Sequence, residues 1–211
     1  VDATLYDVFA GVFNLSSIIV GTTQQSLWVA PSNSDLVGSE IELSNVPGRE
    51  RILANQIARI QDQFDYIFID CPPSLGLLTV NAIVAAESVL VPLQCEYYAL
   101  EGISSLMHTI TFARQNLNPD LELEGVVLTM YDGRTNLARQ VGEEARKYFK
   151  EQVFETVIPR NIKLSEAPSF GQPIFGYDRA SIGASAYLAL GQEVERRRSR
   201  SPAGEPLAAN S

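Results

Sequence analysis

The stretch Phe64–Gly76, FDYIFIDCPPSLG, decides how the chain is read. Tyr66-Ile67-Phe68-Ile69 is a run of strand formers that stops at one carboxylate, Asp70, and the Cys71-Pro72-Pro73 that follows breaks any ladder. An apolar strand that delivers a single acid to its C-terminal edge puts that acid where ligands sit in an open parallel sheet. The same letters also suit an Asp that only caps a turn. Context has to separate the two.

With 211 residues and 45% hydrophobic content, the chain can bury the core of one domain plus appendages. No apolar run reaches the roughly 18 residues that cross a bilayer and no signal peptide is recognised, so a cytoplasmic protein without a membrane role is expected. Cys71 and Cys95 form no CxxC pair, and His108 is the single histidine. That usage argues against a disulfide scaffold or a zinc site and suits a reducing compartment. A formal net charge of −9 excludes a wholly basic nucleic-acid wrapper, yet leaves room for a local basic patch.

Outward from the opening stretch, apolar runs alternate with helical periodicity. Strands are expected at 26–30, 65–69, 88–93, 124–130 and 153–158. Helices are expected at about 35–43, 49–61, 74–86, 97–117, 136–149 and 181–197, the long fourth one carrying Leu100, Ile103, Met107, Ile110 and Ala113 at helical spacing. The segment 1–26 reads as short helices and loops. Strands separated by helices imply an α/β fold, a mostly parallel sheet covered by helices on both faces. Residues 1–198 are expected to form one domain and 199–211, rich in Ser, Pro and Ala, a disordered tail.

Four long segments carry a specific resemblance: FDYIFIDCPPSLGLLTVNAI (64–83), SVLVPLQCEYYALEGISSL (88–106), LEGVVLTMYDGRTNLARQV (123–141) and VIPRNIKLSEAPSFGQPIFGYD (157–178). Together they resemble the ParA/Soj group of deviant Walker-type partition ATPases, within a wider group that includes MinD. The resemblance puts Asp70 in the Walker B role, holding Mg²⁺ through water, and Pro72, Pro73 and Gly76 in a switch segment that answers the γ-phosphate. It puts Thr129, Met130, Pro159, Arg160 and Asn161 around the adenine of ATP. Without it, Met130 reads as core and Asn161 as a turn residue.

Arg134 and Lys163 resemble family cations that hold DNA phosphates without sequence preference; by themselves they read as solvated charges. Arg196-Arg197-Arg198 with Arg200 is either a second basic patch or a helix end favoured by the helix dipole. Glu96, Tyr97, Tyr98 and Glu101 match family signature positions, but as bare residues they describe a helix entry with aromatic packing.

One family feature is not found. A P-loop needs Gly-x4-Gly-Lys-Ser/Thr, and Lys147, Lys150 and Lys163 follow Arg146, Phe149 and Ile162. An Asp-x-Asp-Pro-Gln-like segment is missing too. The sequence therefore reads as an N-terminally truncated domain, poorly stable and unable to hydrolyse ATP by itself.

The intact protein is expected to be an ATP hydrolase that dimerises with ATP, binds nonspecific DNA, answers a ParB-like partner and associates with the nucleoid in chromosome or plasmid segregation. The alternatives are a non-catalytic pseudo-ATPase module and a MinD-like positioning ATPase.

Overall fold

The computed structural model describes residues 3–71, 76–96 and 99–200, with side chains described for all but 99–106 and 200. The chain divides into two compact units, Val1–Val89 with Met107–Glu122 and Leu90–Leu106 with Leu123–Ser211.

The first unit opens with two short helices, α1 (Leu5–Phe9) and α2 (Leu15–Ile18). Asp7 fixes the start of α1 by accepting the Thr4 backbone N–H at 2.8 Å, which satisfies a donor that the helix leaves orphaned. A two-residue antiparallel hairpin follows, β1 (Val20–Gly21) with β2 (Trp28–Val29), in the register Val20 opposite Val29. Helices α3 (Ser39–Glu42), α4 (Ile52–Ile57) and α5 (Leu77–Ala85) complete the N-terminal part.

Val8, Phe9, Leu15 and Ile18 from the first two helices pack in one buried cluster with Leu53, Ile57 and Ile60. Asn81, fully buried on α5, accepts the Leu53 N–H at 3.1 Å and donates to the carbonyls of Arg49 and Leu77 at 2.8 and 3.0 Å. Asn118 closes the other end of α5 by donating to the carbonyls of Ile83 and Ala86 at 3.0 and 2.8 Å. The N-terminal segment thus contributes to a buried core of its own unit.

Two expected strands differ. The expected strand at 65–69 forms no ladder among the described residues, and Phe68 is 81% exposed. A strand needs a neighbour to supply its ladder, and propensity cannot replace one. At 26–30 only Trp28 and Val29 are paired, in the hairpin, and Trp28 is half exposed rather than buried, its ring edge-on to Phe64 at 5.7 Å.

In the second unit β3 (Ser88–Gln94) and β4 (Glu122–Thr129) pair, and Val126 and Tyr131 bridge in parallel to Val153 and Pro159. The expected strand at 153–158 is reduced to these bridges, held by Phe154 N–H to the Val126 carbonyl at 2.9 Å and Ile158 N–H to that of Leu128 at 2.8 Å. Helix α6 (Ala99–Asn116) is divided between the units at Met107, and the second unit continues with α7 (Asn136–Phe149), α8 (Ile162–Glu166), α9 (Ile174–Tyr177) and α10 (Ile182–Arg200). Thr135 caps α7 by accepting the Ala138 N–H at 3.2 Å. Val127, Phe154 and Ile158 form the core, with Leu90, Leu164 and Leu190 packed against it. The short helices α8 and α9 were not expected, since neither is long enough to show a period.

Candidate functional site

The end of β4 and the segment after Ile158 meet in hydrogen bonds. The Thr129 carbonyl accepts the Cys95 N–H at 3.0 Å, the Tyr131 N–H reaches the Ile158 carbonyl at 3.1 Å, and the Arg160 N–H returns to the Tyr131 carbonyl at 3.2 Å. Four of the five base-pocket candidates, Thr129, Met130, Pro159 and Arg160, thereby lie on adjoining backbone. Between them Met130 has φ of 51°, a left-handed conformation that is uncommon for a side chain of its kind and is found where surrounding structure imposes it, often at functional sites.

Asn161 stands at the start of α8, where its Oδ1 accepts the Lys163 N–H at 2.9 Å. That oxygen is committed to the helix cap. Arg160 Nη2 is 2.8 Å from Glu96 Oε1, so the Glu96 signature position holds a cation of the loop. Tyr97 and Tyr98 lie outside the described residues, as does the Glu101 side chain.

Both DNA candidates carry an acid of their own chain. Arg134 donates through Nε and Nη2 to Asp132 Oδ1 and Oδ2 at 2.9 and 2.7 Å, a two-point pair. The hydrogen bonds from Arg134, more than its charge, bring the Asp132 carboxyl down to about 2, and the same bond raises the Arg134 pKa. Lys163 Nζ lies 2.9 Å from Glu166 Oε2, which also accepts the Tyr177 hydroxyl at 2.9 Å. These bonds lower the Glu166 pKa and raise that of Lys163. The sequence pointed to both cations and missed both acids. The only signal was an Asp two residues before Arg134 and a Glu three residues after Lys163.

Asp70 is exposed and belongs to the first unit. Among the described residues no three His, Cys, Asp or Glu side chains gather as a metal cage. A lone carboxylate fits Mg²⁺ held through water and substrate phosphates, which needs only one or two protein acids, and does not fit an all-protein cage. Beside it the Cys71 thiol is raised, by burial first and the Asp70 charge second.

Gly76 precedes α5 and sits against Glu40, whose Oε1 accepts the Leu78 N–H at 3.1 Å. Pro72 and Pro73 lie outside the described residues, as does the tail from 201. Within the arginine cluster, Arg197 is neither a free patch nor a plain helix end. It lies 4.0 Å above the Phe154 ring and donates to the Val153 carbonyl at 2.9 Å.

The AAA-domain family model matches residues 1–123. The chain is 52% identical over 197 residues to the chromosome partitioning protein ParA of Myxococcus xanthus, a match covering 93% of this chain and 70% of that protein. With the sporulation initiation inhibitor protein Soj of Bacillus subtilis it shares 51% identity over 194 residues, 92% of this chain and 77% of that one. Among solved structures, cobyrinic acid a,c-diamide synthase from Mycobacterium smegmatis, with bound ATP analogue and magnesium, superposes with a TM-score of 0.79 at 34% identity, covering 94% of this chain and 74% of that one.

These matches correct three linked expectations. The family model matches residues 1–123 and the partitioning proteins match across more than nine-tenths of the chain, so neither the truncated reading of the family nor that of the α/β fold is shown, and the expected inability to hydrolyse ATP loses its basis. The chain belongs to the AAA-domain family and, within it, to the ParA/Soj group of chromosome-partitioning proteins.

Proposed function

We propose that the protein is a partition ATPase that binds ATP with Mg²⁺, dimerises, binds DNA without sequence preference and hydrolyses ATP in response to a ParB-like partner. Its setting is chromosome or plasmid segregation on the cytoplasmic nucleoid, with residues 1–198 acting as one ATPase domain. The observation that carries this reading is the 52% identity to the Myxococcus xanthus partitioning protein across 93% of the chain.

Thr129, Met130, Pro159, Arg160 and Asn161 bind the base in this reading. Support comes from the hydrogen bonds that draw the end of β4 and the Pro159 loop together and from the left-handed Met130 between them. Asp70 orients a water-bound Mg²⁺, and that ion would offset charge on the phosphates. Gly76, with Pro72 and Pro73, makes the switch, while Arg134 and Lys163 meet DNA phosphates.

The test is Mg²⁺-dependent ATP turnover by the purified full-length protein beside its Asp70→Ala variant. The variant should fall about a hundredfold with its folding transition retained. A wild type that turns over no ATP overturns the reading, and a fully active variant removes Asp70 from it.

A further inference from the structure

We propose that Asp132 and Glu166 are built-in restraints on DNA binding, each holding with its carboxylate one of the two cations assigned to phosphates, so that DNA has to displace an acid of the chain at both positions. The inference rests on the reading of Arg134 and Lys163 as phosphate contacts and adds how strongly they are allowed to bind.

Both pairs are geometrically complete. Arg134 meets both oxygens of Asp132, and the Arg134 backbone N–H adds a third bond to Oδ1 at 3.1 Å. The Arg134 side chain is 90% exposed while that of Asp132 is 23% exposed, so the acid is the seated partner and the cation is the reaching one. At the second position the two side chains are similarly exposed, 45% for Lys163 and 38% for Glu166, and what fixes the acid is the Tyr177 hydroxyl, which bonds to the oxygen that Lys163 meets. The Tyr177 ring is stacked on Phe170 at 5.1 Å, and Lys163 Nζ lies 5.6 Å from its centre. A third cation, Arg160, follows the same plan with Glu96.

Stability is a poor explanation for such pairs, since exposed ion pairs close in sequence contribute little to it. Their effect on a polyanion is larger in consequence. A phosphate approaching Arg134 or Lys163 meets a compensated charge, loses part of the attraction and is repelled by an acid fixed within bonding distance of its own partner. A face built this way binds weakly one chain at a time and needs several copies on one DNA to hold.

The test uses the full-length protein with ATP and Mg²⁺, a nonspecific DNA duplex and anisotropy titrations across a salt series. Asp132→Asn and Glu166→Gln each keep one acceptor oxygen, replace the other with an NH2 group and remove the charge. Each should tighten binding about three- to fivefold and steepen the logarithmic salt dependence by about one. Glu144→Gln on α7, an exposed acid 4.0 Å from Lys147, is the control for net charge alone and should change binding little.

Arg134→Ala and Lys163→Ala separate the two layers of the reading. If neither weakens binding, the DNA assignment itself falls. If both weaken it while Asp132→Asn and Glu166→Gln leave it unchanged, the DNA assignment stands and the restraint is overturned. An equal gain from Glu144→Gln also overturns the restraint, because the effect would then be global charge. Urea denaturation of every variant keeps a folding defect from counting as a loss of binding.

Discussion

Glu193 and Arg197, one turn apart on α10, meet at 2.9 Å and together fasten that helix to the segment that leads to Pro159. Glu193 is 3% exposed and accepts the N–H groups of Glu155 and Thr156, both at 2.8 Å. Burial alone would push its carboxyl up, but the hydrogen bonds from Thr156 and Glu155 and the charge of Arg197 outweigh it, and its pKa lies below the ordinary 4.5.

Glu193→Ala leaves two backbone donors without an acceptor and strands Arg197, and it should cost about 3 kcal/mol in urea denaturation. The pH dependence has a definite sign. A depressed folded pKa means the contribution is fully present above about pH 4.5, the ordinary value, and is lost as pH falls through the folded value. Glu193→Gln should therefore be less stable than wild type at pH 7 and close the gap as pH drops below 4. A gap that stays constant with pH would remove the charge from this account.

Gly125 lies on β4 with φ of +150°, and a Cβ there would sit 2.5 Å from the Gln152 carbonyl oxygen and 2.7 Å from the Phe154 ring. Backbone and a fully buried ring cannot yield cheaply. Gly125→Ala should cost about 3 kcal/mol, a loss of roughly 6–12 °C in Tm by calorimetry. A variant within about 2 °C of wild type would mean the segment after Gln152 moves aside freely.

What the sequence made legible follows the length of each signal. α7 was expected at 136–149 and is found there, since fourteen residues give the period room to show and Thr135 supplies a cap. β3 and β4 were legible as apolar runs between breakers. Tyr66–Ile69 was equally strand-like in composition, yet a ladder is a property of two segments, and composition describes one. The site shows the same division. Arg134 and Lys163 were singled out by motif, whereas Asp132, Glu166 and Glu193 enter through contacts set by turns and by segments as far as 38 residues apart. The two local pairs left only a two- or three-residue spacing as a signal, and the contacts of Glu193 with Glu155 and Thr156 left none along one stretch.

Asn81 should be the costliest polar side chain to truncate in the first unit. Its carboxamide spends one acceptor on Leu53 N–H and two donors on Arg49 and Leu77 carbonyls in a place with no exposure to water. Asn81→Ala removes all three bonds and should cost about 3 kcal/mol. Asn81→Leu fills the volume but leaves the same backbone groups unpaired, so it should recover little. Hydrogen exchange at the Leu53 amide checks the mechanism, because its protection should fall more than that of amides within α5.

Glu40 and Gly76 form a coupled pair at the start of α5. The Glu40 carboxylate occupies the space that a Cβ at position 76 would take, and from there it accepts the Leu78 N–H at 3.1 Å. It serves as a cap supplied from 38 residues away in the sequence, at the positive end of a helix that follows the candidate switch. Because a Glu side chain can swing aside, Gly76→Ala should not disrupt the fold. It should displace the carboxylate and cost what a lost cap costs, about 1 kcal/mol, and Glu40→Ala should cost a similar amount. The double variant should then cost about 1 kcal/mol as well, since both changes remove the same bond, giving a coupling of about 1 kcal/mol in a double-mutant cycle. Fully additive losses in urea denaturation would show that Gly76 is required for its backbone rather than for the room it leaves to Glu40.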